Sequence, residues 1–233
     1  MWMVLMTAWA GECVALRGLP EDATAQQLNV AAHNCYEQGL LDYAATILRK
    51  AVEVDPNHVL AQYNLACVLA RLRAAGEVCE NDAYVSSVLE HLANSIRLDP
   101  KRRERARVDE DLDSVRHTVV FQTLIGTDLS TVEGLTSVLP GFELYSPRPG
   151  VYPSAVEVSL KKGGVVEWRL RDVLGEDPKV RTEAGSWKVV GPMEVELTGP
   201  SGSTRYEVDA QGTFAPSGGT ASTLSDRPDE CSA

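Results

Sequence analysis

The chain has 233 residues, of which 44% are hydrophobic, and a formal net charge of -11. This length and apolar content suffice for one or two domains with a sizeable core. Acidic residues outnumber basic ones in both halves of the chain, which disfavours a general nucleic-acid-binding role.

The first ten residues, MWMVLMTAWA, form a short apolar run that leaves two interpretations of residues 1–20 open. Its Ala-Trp-Ala end resembles the end of a secretion signal, although the positively charged start of such signals is missing. Alternatively, the run is a leading helix that packs on the following repeat through Trp2, Leu5, Met6 and Trp9. No segment of the sequence is long enough to span a bilayer as a helix.

Residues 25–56 show helical spacing of apolar residues in two stretches. Gly39 lies between the stretches, where a helix can end in a left-handed turn that glycine enters cheaply. Asp55-Pro56 ends the second stretch because proline cannot continue a helix. We therefore predict a helix-turn-helix unit here.

This unit resembles the tetratricopeptide repeat. The matching positions are the small residues where that family packs its two helices, the turn glycine and the closing proline: Ala32, Ala44, Ala51, Gly39 and Pro56. Leu28 departs from the pattern, because the family usually has a large aromatic residue near the start of the repeat. The resemblance implies an array of stacked helical hairpins, whose surfaces bind other proteins rather than catalyse reactions.

A second, longer unit runs from Val59 to Pro100 and contains an insertion at residues 73–83. The following stretch, Ala106–Leu112, resembles the end-of-array cap of tetratricopeptide-like proteins, where Asp109 or Asp111 would cap a short helix. A cap is needed because the last repeat would otherwise expose its apolar face. The helical domain is predicted to span residues 21–126.

The resemblance further implies that the first helix of each repeat lines a concave groove. The residues expected to face this groove are Asn29, His33, Tyr36, Tyr63, Asn64, Cys67 and Arg71. Some family members clamp a partner's terminal carboxylate with Lys and Asn, but Asn29 and His33 stand at those positions here, which disfavours that clamp. We expect a groove for an extended or helical peptide, with Tyr36 and Tyr63 exposed. The alternative is an ordinary solvated helix face.

The five cysteines include no C-x-x-C pair. Cys35 and Cys67 fall on helix faces where small apolar residues belong, so both are predicted to be buried free thiols. Cys79 and Cys231 are predicted to be exposed. The odd total and scattered spacing argue against a disulfide framework and favour the cytoplasm. Export to the periplasm or cell envelope is the alternative if residues 1–10 are a signal peptide.

The chain changes character after residue 126. Residues 127–140 are rich in turn-forming residues and predict a linker, and strand-like alternation follows at residues 141–214. Lys161–Gly164 is predicted to join two strands as a hairpin. Five or six antiparallel strands would form a small barrel or sandwich, so the predicted class is α+β. The tail, residues 215–233, is predicted to be disordered.

Within the strand region, Gly185-x-Trp187-x-Val189 followed by a Val-Glu-Leu strand resembles lipocalin-like and related bacterial β-barrel modules. This resemblance implies that Trp168 and Trp187 line a ligand cavity. The competing interpretation, which we favour for so small a domain, is that both residues fill the core.

The sequence carries no P-loop, nucleophile elbow, zinc-protease motif or paired metal-ligand cysteines. The acidic stretch 109–113 lacks the central glycine and the distant glutamate of a calcium loop. We therefore expect no enzyme activity, no cofactor and no metal. The expected function is a non-enzymatic adaptor whose groove docks a protein or peptide partner. The alternative is a cell-envelope protein that binds a small lipid-like ligand in the β domain.

Overall fold

The computed structural model describes residues 13–14, 16–75, 84–146, 156–171, 179–218 and 221–226. Helices in the N-terminal part are followed by a closed barrel of eight antiparallel strands, which confirms the predicted α+β class. The chain divides into two compact units, one of residues up to Gly76 with Ser86–Leu112, the other of Glu77–Val85 with Asp113–Ala233. The predictions for the first ten residues, Cys79 and Cys231 fall outside the described residues.

The first unit is helical. Its helices are α1 (Ala25–Glu37), α2 (Leu41–Val54), α3 (Val59–Ala75), α4 (Val85–Leu98) and α5 (Arg102–Val108). α1 begins with a capping box, because the Thr24 hydroxyl accepts from the Gln27 backbone N–H while the Gln27 side chain accepts from the Thr24 N–H. Gly39 has a φ of 73° in the turn before α2, as predicted. Ala32 and Ala44 are fully buried where α1 and α2 pack.

A short 3-10 helix, Glu110–Val115, follows α5. Asp109 begins it, because its carboxylate accepts a hydrogen bond from the Asp111 backbone N–H at 3.3 Å. The predicted capping role of Asp109 is therefore present, on a 3-10 turn instead of an α-helix.

Cys35 is not a free thiol, contrary to the prediction, because it forms a disulfide with Cys13. The segment before α1 returns to that helix and places the two Cα atoms 4.3 Å apart. The two cysteines are 22 residues apart in sequence, and this spacing does not predict that they pair. Cys67 is a buried free thiol, as predicted.

The second unit is an antiparallel barrel preceded by two short helices. These helices are α6 (Val119–Leu124) and α7 (Val132–Val138). The strands are β1 (Glu143–Tyr145), β2 (Val156–Lys161), β3 (Val165–Arg171), β4 (Val180–Gly191), β5 (Glu194–Gly199), β6 (Gly202–Val208), β7 (Thr213–Pro216) and β8 (Leu224–Ser225). Each strand pairs with the next along the chain, and β1 pairs with β8 to close the barrel. The Lys161–Gly164 connection joins β2 to β3, which confirms the predicted hairpin.

The barrel interior is filled by side chains at alternate strand positions. On β5, Val195 and Leu197 are buried whereas Glu194 and Glu196 are partly exposed. Phe214, on β7, is fully buried in the same core. This pattern matches the alternation that the sequence predicts for a sheet with one apolar face.

In sequence, the boundary between the two compact units lies at residue 112. Val119 belongs to the apolar core of the barrel unit, and its backbone N–H donates to Asp226 at 2.6 Å. α6 therefore folds with the strands. Its six residues are too few to display a helical period that would have identified its partner.

The predicted linker and the predicted disordered tail both contain regular structure. Residues 127–140 include α7, whose Leu135 is fully buried. In the tail, Leu224 and Ser225 form β8, and Ser225 pairs with Tyr145 of β1. A strand of two residues has no readable alternation, which explains why the sequence predicted five or six strands instead of eight.

Among the described residues, no helix has both the length and the apolar character that crossing a membrane requires.

We expect the Cys13–Cys35 disulfide to stabilise the helical unit. It closes a loop of 22 residues, and closure of such a loop contributes about 3 kcal/mol in the chain-entropy treatment. Dithiothreitol should therefore lower the thermal unfolding temperature of the wild-type protein, measured by circular dichroism. Cys13→Ser should unfold at the temperature of the reduced wild type and be insensitive to dithiothreitol. If dithiothreitol left the unfolding temperature of the wild type unchanged, the disulfide would not have this stabilising role.

Candidate functional site

The helical unit contains a cavity of about 330 Å³ lined by α1, α3, α5 and the segment after α5. Five residues predicted to face a groove line it: His33, Tyr36, Tyr63, Asn64 and Cys67. We call this cavity the groove. Arg102, Arg105, Asp109 and Asp111, which the sequence did not single out as groove residues, line it as well.

Asp111 is held in the groove by residues of α1 and α3. The Tyr36 hydroxyl lies 2.7 and 2.8 Å from the two carboxylate oxygens of Asp111. Arg71 donates from Nη1 to the same carboxylate at 3.0 Å. The Asp111 side chain is therefore bound by one phenol and one guanidinium, a charge-assisted arrangement.

Asp109 has a matching set of partners and is more deeply buried, with 8% of its side chain exposed. The Tyr63 hydroxyl donates to Asp109 Oδ2 at 2.9 Å, and Arg105 Nε donates to the same oxygen at 3.1 Å. The Arg102 guanidinium lies over the Tyr63 ring, 5.7 Å from its centroid. A buried carboxylate requires such compensation, since removing it from water is costly.

The pKa values of three groove residues are raised, which favours their protonated forms. Burial, together with the hydrogen bond to Asp111, raises the pKa of Tyr36 to about 12. Burial is also the main cause that raises the pKa of Tyr63. For Cys67, burial and then the negative charges of Asp109 and Asp111 raise the pKa well above its usual value. The Cys67 thiol is thus protonated at neutral pH and unsuited to act as a nucleophile.

Cys67, Asp109 and Asp111 bring their ligand atoms within 4.8 Å of one another, a spacing that a metal ion could bridge. However, Arg71 and Arg105 already neutralise the two carboxylates. A cation would have to displace these guanidinium groups and remove the proton from a thiol with a raised pKa. The donor set therefore suits an internal ion-pair network better than a metal centre.

Of the predicted groove residues, Asn29 and Arg71 lie outside the cavity lining, whereas His33 is part of it. Asn29 is buried, 6% exposed, and accepts a hydrogen bond from Asn64. His33 is exposed, stacks near Tyr36 and lies 3.8 Å from Glu37. Arg71 reaches the groove through Asp111.

The expectation of two exposed tyrosines is wrong for Tyr63, which is 4% exposed, and Tyr36 is half-buried. Both hydroxyls are bound to the acidic segment that follows α5. The sequence marked that segment as an end cap, but only the fold shows that its carboxylates lie in the groove.

The two tryptophans proposed for a ligand cavity differ in their surroundings. Trp168 lines a second cavity, of about 500 Å³, in the barrel unit. Trp187 is buried in the barrel core, where its indole N–H donates to the Lys161 backbone carbonyl at 2.9 Å. Trp187 therefore has the packing role that the sequence analysis favoured, whereas Trp168 faces an open space.

In comparisons with known proteins, no family model, no curated protein and no solved structure matches the chain.

We expect Tyr63→Phe to destabilise the helical unit by about 1–2 kcal/mol, because it leaves a buried carboxylate oxygen without its phenol donor. The measurement is the free energy of unfolding in urea at pH 7. Tyr43→Phe is the matched control, because it removes the same hydroxyl from a side chain that is 51% exposed. If both substitutions lowered the free energy of unfolding equally, the Tyr63–Asp109 hydrogen bond would not stabilise the helical unit as proposed.

We also expect the raised pKa of Tyr36 to make stability depend on alkaline pH. The folded protein holds this proton up to about pH 12, whereas the unfolded chain loses it near pH 10. The contribution is complete below pH 10 and is lost as pH rises towards 12, because the unfolded state then binds fewer protons. The unfolding free energies of wild type and Tyr36→Phe should therefore converge between pH 10 and 12. A constant difference across that range would rule out this linkage.

Proposed function

We propose that the chain is a non-enzymatic interaction protein with a tetratricopeptide-like helical unit whose groove docks an acidic segment of a partner protein. The main support for this proposal is that Arg105 uses only part of its hydrogen-bonding capacity within the protein. Its Nε binds Asp109, its side chain is 64% exposed, and within the described residues its Nη groups make no further hydrogen bond. A guanidinium with free donors at the edge of a groove suits a second carboxylate.

Charge complementarity supports an acidic partner. Arg105 belongs to α5, which together with Lys101 is basic in an otherwise acidic chain. Arg71, which donates to Asp111 in the groove, is 50% exposed. An acidic peptide would meet these cations, whereas a basic one would meet them as like charges.

The internal aspartates leave only the outer donors of the groove arginines for a partner. Asp109 and Asp111 occupy the inner part of the groove, where each is held by one tyrosine and one arginine. The hydroxyls of Tyr36 and Tyr63 bind these carboxylates. The proposed contact with a partner is therefore polar and is made by the arginines instead of by exposed aromatic rings.

The Cys13–Cys35 disulfide supports an oxidising compartment, since such bonds are rare in reducing cytosol. Of the two localisations that the sequence left open, we therefore propose export rather than the cytoplasm.

The docking proposal is tested with a peptide display library selected on the full-length protein, followed by fluorescence anisotropy of the enriched peptides. We expect enrichment of Asp and Glu, and at least threefold weaker binding to Arg105→Gln, which is in the range of one exposed charge pair. Arg103→Gln is the matched control, because it removes the same charge from the same helix outside the groove. Arg105→Lys should recover part of the affinity.

Selected peptides without acidic enrichment would overturn the choice of partner. Equal weakening by Arg103→Gln and Arg105→Gln would overturn the groove as the binding site, because only the net charge of α5 would then matter.

A further inference from the structure

The barrel unit contains a cavity that the docking function does not use. It has a volume of about 500 Å³ and is lined mainly by β3, β4, β5 and β6. Its apolar walls include Trp168, Leu170, Leu197 and the ring of Tyr206. Small-molecule sites usually have about 300–1,000 Å³ and combine apolar walls with a few polar groups. Barrel mouths are a common place for them.

Two glycines position Trp168 in this cavity. A methyl group at Gly185 of β4 would lie 2.8 Å from the indole ring, and one at Gly199 of β5 would lie 3.1 Å from it. The indole therefore occupies the space that side chains at these two positions would fill. It forms a flat aromatic wall against the backbone of two neighbouring strands.

Tyr206 supplies the cavity with a hydrogen-bond donor. Its side chain is buried, with 7% of the residue exposed, and it lines the cavity. Within the described part of the chain, no hydrogen-bond partner contacts its hydroxyl. Burial raises the pKa of this phenol, so it is a neutral donor at physiological pH. The hydroxyl can therefore donate to an acceptor group on a ligand that enters the cavity.

Arg181 gives the cavity a cation. It pairs with Glu183 at 2.9 Å, and its side chain is 72% exposed. Both residues line the cavity. Because the Arg181 side chain is largely accessible, it can also contact an anionic group on a molecule that enters the cavity.

We propose that the barrel cavity binds a small planar aromatic carboxylic acid. The ring lies against Trp168 and the leucine side chains, as aromatic stacking favours. The carboxylate accepts a hydrogen bond from the Tyr206 hydroxyl and is attracted by Arg181. This site belongs to the barrel unit alone and does not depend on the groove.

The proposal is tested with 2-naphthoate as the probe and the full-length protein, by isothermal titration calorimetry. We expect saturable binding that is about tenfold weaker in Tyr206→Phe, because one hydrogen bond to a charged acceptor is lost. Tyr206→Phe retains the buried ring, so the barrel core keeps its packing. Tyr43→Phe, which removes an exposed phenol in the helical unit, should bind as the wild type does, and so should Arg105→Gln.

The position of the probe is followed by NMR of ¹⁵N-labelled indole groups, with the Trp168 signal assigned by Trp168→Phe. We expect 2-naphthoate to shift the Trp168 signal more than that of Trp187, whose N–H is bound to Lys161 in the core. Absence of saturable binding, or equal affinity of wild type and Tyr206→Phe, would overturn the site. Binding of decanoate as tight as that of 2-naphthoate would overturn the planar ligand class.

Discussion

Burial of the Asp109 carboxylate is the constraint on which the helical unit depends. With 8% of its side chain exposed, this anion is largely removed from water. Groups of the chain must therefore provide the hydrogen bonds and the opposite charge that stabilise it. Tyr63 and Arg105 supply the donors, and Arg102 packs over the Tyr63 ring. The segment that follows α5 is therefore fixed to the helical unit by an ion pair and a phenol.

The same constraint shapes the chemistry of neighbouring groups. Negative charge from Asp109 and Asp111 adds to burial in keeping the Cys67 thiol protonated, and it opposes ionisation of Tyr36 and Tyr63. Those shifts would suggest catalysis if they were considered alone. Here each shifted group has a structural partner, so the pattern is that of a packed polar network and not of an acid–base pair.

The sequence predicted the parts of this structure that local rules determine. Gly39 and Pro56 mark helix ends because their backbone chemistry acts within a few residues. The Tyr63–Asp109 bond joins residues 46 positions apart, and the Cys13–Cys35 bond joins residues 22 apart. Neither is encoded in a period or a turn signal. β8 was missed for a different reason, since two residues cannot show alternation.

The two cavities differ in how their polar groups are satisfied, and this difference argues for different ligands. In the groove, the tyrosine hydroxyls are already bound to Asp109 and Asp111, so a partner can reach only the outer donors of the arginines. Such contacts are solvent-exposed and favour a charged, extended partner over a small molecule. In the barrel, Tyr206 lines the cavity and its hydroxyl has no hydrogen-bond partner among the described residues. A ligand that enters this cavity can supply an acceptor for the hydroxyl and contact the apolar walls at the same time, which favours a small molecule over a surface contact.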